Sequence, residues 1–245
     1  MKSWVRNTLR AGVLAAGFLL FAASPAHAGD QFSKGNSGLL TGNNVSVPIA
    51  VAAPICGNGV GGAGGGAGMS DGCYADASND DSGSQVSNGN SGAGTGNNVS
   101  VPIAVAAPIC GNGVGIFGGG LGISDTCVAT ASNSEGAAGG GQLTKDNTGL
   151  GTGNNWSSPI AVAVPFCGNG GGGAGGGVGI SKLCVADAHN GSAAELQFAK
   201  DNSGLGVGNN ISIPSSWSVP VCGNGVGVFG FGLGVSDTCV ASSSN

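Results

Sequence analysis

Large β-branched residues alternate with small or polar ones in a pattern that the chain writes four times. Val45, Val47, Ile49 and Val51 alternate with Ser46, Pro48, Ala50 and Ala52, a period of two that predicts a β-strand with one apolar face. The alternation returns in Val99, Val101, Ile103 and Val105, and less regularly from Trp156 and from Ile211. A prolyl nitrogen cannot donate to a sheet ladder. Pro48 and Pro54, with Pro102, Pro108, Pro159, Pro165, Pro214 and Pro220, therefore place this strand at an edge or divide it in two. The C-G-N-G that follows is a turn signal, because Asn and Gly tolerate positive φ, and the element it implies is a β-hairpin.

The second arm varies among units. In the fourth, Val226, Val228, Phe229, Phe231, Leu233 and Val235 are spaced by glycine, with a one-residue slip at Val228–Phe229 that predicts a bulge. One face is large and apolar, and the other is bare backbone on which a second sheet can pack closely. Val114, Ile116, Phe117, Leu121 and Ile123 keep most of this in the second unit. Residues 61–68 and 170–177 reduce it to glycine and alanine, so units two and four are expected to form the better strands. Between units the chain is rich in Ser, Asn, Gly and Ala and reads as flexible linker, except Ser192 to Lys200, which predicts two turns of helix.

The repeat is strict. Asn36, Asn90, Asn147 and Asn202 open the four units, 54, 57 and 55 residues apart, and in each unit the first Cys comes 20 positions later and the second 17 after that. Every length change falls between units. All eight cysteines lie in the repeats. Eight cysteines admit 105 pairings, and fixed spacing makes one bridge per unit the simplest: Cys56–Cys73, Cys110–Cys127, Cys167–Cys184 and Cys222–Cys239. A bridge of this span is worth about 3 kcal/mol in the chain-entropy model. The spacing lacks the close C-x2-4-C pairs of thiolate zinc sites, and no metal is expected.

Charge is excluded from the units. Residues 35–70, 82–124, 147–181 and 202–236 hold no Asp, Glu, Lys or Arg, so they lack the charges with which soluble proteins block edge-to-edge pairing. The units look built to associate. At the start, Lys2, Arg6 and Arg10 precede the apolar run 11–23 and the A-H-A of residues 26–28, the form of an export signal spanning 1–28. The run is too short for a transmembrane anchor. Beyond it, Lys34, Lys145, Lys182 and Lys200 stand against twelve acids, a formal charge of −8, which argues against a nucleic-acid partner.

Little here could do catalysis. Past the leader there is one histidine, His189, and no arginine, so no catalytic constellation and no cofactor are expected. The glycine runs lack the G-K-[ST] ending of a phosphate loop. An N-x-S sequon recurs at Asn44, Asn98, Asn155 and Asn210; its plainer reading is that Asn-Asn ends a turn and Ser takes the polar face of the strand. Trp156 and Trp217 read as members of the apolar face.

The unit G-x-x-[ST]-G-N-x-V-x-V-P-x-x-V, followed by P-x-x-C-G-N and a second Cys, resembles the chaplin domain of filamentous, spore-forming actinobacteria. Four copies fit, at 36–76, 90–130, 147–187 and 202–242. The resemblance implies a secreted, surface-active protein that assembles into amyloid-like fibrils at the air–water interface, lowers surface tension and coats aerial hyphae and spores with a hydrophobic layer. Related surface proteins would be its co-assembly partners. The chain ends in V-A-S-S-S-N without a sorting motif, so the expectation is non-covalent retention at the cell wall. The expected fold is all-β: four short disulfide-stapled hairpins on flexible linkers, assembling into cross-β sheets through Val45, Val47, Ile49 and Val51, Val99, Val101, Ile103 and Val105, and the arm from Val226 to Val235. The alternative is a tandem adhesive or glycan-binding module that forms no fibrils.

Overall fold

The computed structural model describes residues 27–79, 81–133, 141–191 and 196–245. The export signal expected at residues 1–28 falls almost wholly outside them. The chain is all-β, and its strands are set by pairing between units. In unit one they are Gln31–Lys34, Ser37–Leu39, Asn44–Ser46, Ile49–Ala52, Ile55–Cys56, Gly59–Gly61 and Gly66–Asn79. Each pairs parallel with its equivalent in unit two, which pairs with unit three, and that with unit four, giving seven four-stranded sheets. Register follows the repeat residue for residue: Val45 lies beside Val99, Val99 beside Trp156, and Trp156 beside Ile211. His27–Ala28 adds a short parallel pair with Asp81–Ser82. The four units are four turns of a parallel solenoid.

The disulfide-stapled all-β repeats are as expected, but the hairpin is not formed. Ile55–Cys56 and Gly59–Gly61 pair with their copies in the next unit and not with each other. The C-G-N-G turn explains this. Gly57 takes φ 62°, and the Asn58 amide then spends its hydrogen bonds along the stack: its Nδ2 donates to the Ile109 carbonyl at 2.6 Å while its Oδ1 accepts from the Asn112 backbone N–H at 2.8 Å. The turn is an arch between layers.

Three further expectations change for the same reason. Proline divides the first arm into Asn44–Ser46 and Ile49–Ala52. The segment expected to be helical contains a strand, Leu196–Lys200, in register with Gly141–Lys145; its first residues, 192–195, lie outside the described set. Gln197 fixes it there by donating to Gln142 Oε1 at 2.9 Å and to the Ile211 carbonyl at 3.1 Å. Gln85–Asn88 and Gly141–Lys145 likewise make strands of chain expected to be linker. Val228 and Phe229 sit in the turn ahead of Phe231–Ser244 and make no bulge.

The glycine-rich units are not the weaker ones. Their long strands, Gly66–Asn79 and Gly176–Asn190, match those of units two and four, Gly119–Asn133 and Phe231–Ser244. Strand length is set by pairing to the neighbour, and the glycines facing inward are required in every unit. A Cβ on Gly120 would fall on the Val114 carbonyl, and one on Gly122 on that of Asn112. The two arms meet backbone to backbone.

The interior holds the small and polar half of the pattern. Ala50 and Ala52 are 2% and 4% exposed, whereas Ile49 and Val51 beside them are 57% and 55% exposed. Alanine rows from the two arms form one cluster, with Ala104, Ala106, Ala129 and Ala131 fully buried at its centre. Beyond them lie columns of buried amides. The Asn36 backbone N–H and Nδ2 donate to Asn90 Oδ1 at 2.9 and 3.0 Å; Asn90 does the same to Asn147, and Asn147 to Asn202. Gln85, Gln142 and Gln197 form another such ladder on Gln31. Buried amides of this kind need every partner, because an orphaned one costs about 1–3 kcal/mol.

Some interior hydroxyls lack that satisfaction. Thr41, Thr95 and Thr152 Oγ1 are buried without a partner among the described residues, and the fourth member of their row is Val207. Asn98, in contrast, is fully buried and fully used: it accepts from Asn44 Nδ2 at 2.9 Å and donates to the Gln85 and Leu143 carbonyls at 3.1 Å and to Asn155 Oδ1 at 3.0 Å. Urea unfolding should therefore find Asn98→Ala destabilised by about 3 kcal/mol or more and Thr95→Val unchanged or more stable. Equal losses for the two would contradict ladder-driven stacking.

Candidate assembly surface

In-register stacking turns each outward position into a row across four units. Val45, Val99, Trp156 and Ile211 make one row; Val51, Val105, Val162 and Trp217 another; Ile55, Ile109, Phe166 and Val221 a third. Neighbours in a row stand about 4.8 Å apart, the spacing of paired strands. The expected assembly residues of the first arm all lie on this outer surface. Val45, Val47, Ile49 and Val51 are exposed, and Val99, Val101, Ile103 and Val105 point the same way but are half-buried, with units stacked on both sides of them. On the second arm Val226, Val228, Phe229, Phe231, Leu233 and Val235 are exposed too, Phe229 at 90%. A large outward apolar surface on a folded chain marks a contact with another phase or another molecule.

This surface carries charge only at its margins. Ser70, Ser124, Ser181 and Ser236 face inward, and each hydroxyl donates to the carbonyl two residues on. The inward–outward alternation slips there, since Cys73 also faces inward, and the next residue drops out of register pairing. These corner positions hold Asp71, Asp125, Lys182 and Asp237. Lys182 Nζ meets Asp125 Oδ1 at 2.9 Å. That hydrogen bond, and then the charge of Asp125, raises the lysine above its ordinary pKa, with smaller contributions from Asp237 and Asp71.

Four disulfides brace the interior, Cys56–Cys73, Cys110–Cys127, Cys167–Cys184 and Cys222–Cys239, with Cα atoms 5.8 to 6.4 Å apart. They stack as the units do. The sulfurs of Cys167, Cys184 and Cys222 lie within 4.8 Å of one another, but all are disulfide-bonded, so this cluster has no thiolate to offer a metal. His189 Nδ1 is 2.6 Å from Ser244 Oγ, a contact between equivalent positions of neighbouring strands.

The sequons are absorbed into the fold. Asn98 and Asn155 are fully buried ladder members, and Ser100 and Ser157 face inward with them. The polar side of the first arm is thus its inner side. The amide columns are the part of the structure that a reading for hydrophobic faces passes over, yet they had a signal: Asn36, Asn44, Asn58, Asn79 and Gln31 each recur at the equivalent place in all four units.

Among the described residues the stack is open at both ends: the strands of unit one pair only with unit two, and those of unit four only with unit three. At the unit-four end Asn210, Ser212 and Ala241 are exposed, although their equivalents inside the stack are buried. No family model, no curated protein and no solved structure matches this chain.

Each bridge spans 17 residues and should add about 3 kcal/mol. Replacing Cys110 and Cys127 together with alanine should lower the urea-derived stability of the oxidised protein by about that amount. An unchanged midpoint would mean that stacking alone holds unit two.

Proposed function

We propose that this chain is an exported structural protein that adsorbs to interfaces and self-assembles into a β-rich coat. The observation that carries the reading is the inverted alternation, with alanine, cysteine, amide and glycine inside and Val, Ile, Phe and Trp rows outside. A fold stabilised by backbone pairing, amide ladders and disulfides does not need its large apolar side chains for a core, and it leaves them for an air, lipid-like or solid surface.

Other features support the same reading. Four disulfides suit an oxidising compartment, and no helix among the described residues is long and apolar enough to cross a membrane. The chaplin-like unit adds the setting: release from the cell, residence at the wall, reduction of surface tension and a hydrophobic layer over aerial hyphae or spores, formed with related surface proteins. Parallel in-register strands with stacked amides, the arrangement of cross-β material, support the amyloid-like part of this reading.

A dilute solution of the oxidised protein should show a slow fall in surface tension, and thioflavin fluorescence should rise after agitation with air. Changing Val51, Val105 and Val162 together to threonine should leave stability within about 1 kcal/mol, since they point outward, while slowing the fall in surface tension. A solution that keeps the tension of buffer and stays dye-negative would overturn the coating role and favour an adhesive module.

A further inference from the structure

Resting on the assembly reading, we propose that a second copy of this chain adds head to tail, the unit-four end of one molecule on the unit-one end of the next, and that the meeting of Asp237 with Asp71 at this junction restrains the addition. The contact between units within the chain is the template. Any two successive units are joined by the same register, the same ladders and the same rows, so a unit-four face meeting a unit-one face can repeat what unit three already makes with unit four.

The ends match in hydrogen-bonding sense as well as in shape. In the column that begins at Asn36, each unit donates to the next, so Asn202 at one end is a donor without a following acceptor and Asn36 Oδ1 at the other an acceptor without a preceding donor. In the columns of Asn43 and Asn58 the sense is reversed, each unit donating to the one before. Asn209 and Asn224 therefore end as acceptors where Asn43 and Asn58 begin as backbone donors. The glutamine column also runs this way, from Gln31 to Gln197. Head-to-tail addition satisfies all four columns at once. A head-to-head contact would set donor against donor and acceptor against acceptor, and would reverse the strands.

The unit-four interior is compatible with burial. It carries Ser216 and Ser218 where the other units carry alanine, and both hydroxyls are already satisfied within the chain, Ser216 by the Ser244 carbonyl and Ser218 by the Ala186 carbonyl. Covering them leaves no orphaned donor.

Charge at the corners does not match so well. Down the chain the corner column reads Asp71, Asp125, Lys182, Asp237, and the 2.9 Å ion pair of Lys182 with Asp125 shows that successive corners are within reach. Continued into a second copy, the column puts Asp237 beside Asp71. Lys182 flanks Asp237, Asp125 flanks Asp71, and the strands packed beneath them between residues 35 and 70 and between 202 and 236 carry no charge. A second charged column, Lys34, Asn88, Lys145 and Lys200, brings Lys34 beside Lys200, which already has Asp201 at 3.9 Å, and a third, Asp76, Thr130, Asp187 and Ser242, brings Asp76 beside an uncharged serine. Lys182 offsets the carboxylate pair only in part, since its hydrogen bond goes to Asp125, and an exposed like-charge contact of this kind is screened by salt.

Charge reversal tests both parts. Asp71→Lys makes the column alternate in sign through the chain and across the junction, whereas Asp71→Lys with Asp237→Lys returns a like-charged junction. In seeded elongation of the oxidised exported protein at low salt, followed by light scattering, Asp71→Lys should elongate about fivefold faster than the unaltered protein. The double variant should fall back, and the differences should shrink at high salt. Thermal unfolding of each variant confirms that it is folded, and electron micrographs should show about 19 Å of filament per molecule, four strand spacings. Equal rates for all three proteins, or Asp71→Lys slower than the unaltered chain, would overturn head-to-tail addition. Surface tension measured on the same samples separates the two ideas: tension that falls without charge-dependent elongation removes this junction and leaves the coat, and elongation without surface activity does the reverse.

Discussion

Parallel pairing in register between identical units is the interaction on which everything else in this molecule rests. It requires that each residue tolerate its own copy about 4.8 Å away, four times over. Asparagine and glutamine meet that requirement best, because one amide both donates and accepts and can continue indefinitely. Alanine and glycine meet it by being small, and cystine by stacking sulfur on sulfur. Charged residues meet it poorly and are few: Lys182 answers Asp125 at the corner, Thr130 stands between Asp76 and Asp187, and Lys145 and Lys200, which do pair, each have an aspartate beside them. The length differences of the repeat are confined to the connectors, since an inserted residue inside a unit would break every column at once.

A consequence is that the large apolar side chains are released from core duty. In most small domains they are the source of stability; here stability comes from ladders, bridges and close backbone approach. The outer rows can then vary widely in size, as Val45, Val99, Trp156 and Ile211 do, without disturbing the register. Tolerance of that sort suits a surface that must be apolar and need not be complementary to any one partner. Solubility of the single chain falls to the few charged positions, so the same residues that keep molecules apart are placed to regulate how they join.

Much of this architecture is legible in the amino-acid sequence. The four units, the strand-forming alternation of the first arm, the bridge within each unit and the closely packed glycine face of the second arm are all present in the spacing of residues. What the alternation could not say is which of its two faces lies inside, because a period of two assigns residues to faces and no more. The parity of the cysteines held the answer: Cys56 shares its face with Asn44, Ser46, Ala50 and Ala52, and Cys73 with Ala75, Ala77 and Asn79. Bridged cysteines in small repeats belong inside, so the small and polar face had to be inside with them. Strand direction was harder. A C-G-N-G turn serves a hairpin and an arch equally well, and only the satisfaction of Asn58 by the next unit separates them. The segment Leu196–Lys200 misled for a related reason, since its local preference is helical and its pairing with Gly141–Lys145 is not visible locally.

The most direct test of in-register stacking is a set of through-space NMR contacts on the oxidised protein. Amide and side-chain contacts should join residues 54 apart between units one and two and 57 apart between units two and three, Val45 with Val99 and Val99 with Trp156 among them. Contacts should be missing for the ladder of an antiparallel hairpin centred on Gly57 and Asn58. Finding that hairpin ladder instead, with no contacts between equivalent residues of different units, would contradict the stacked solenoid and with it the inverted surface.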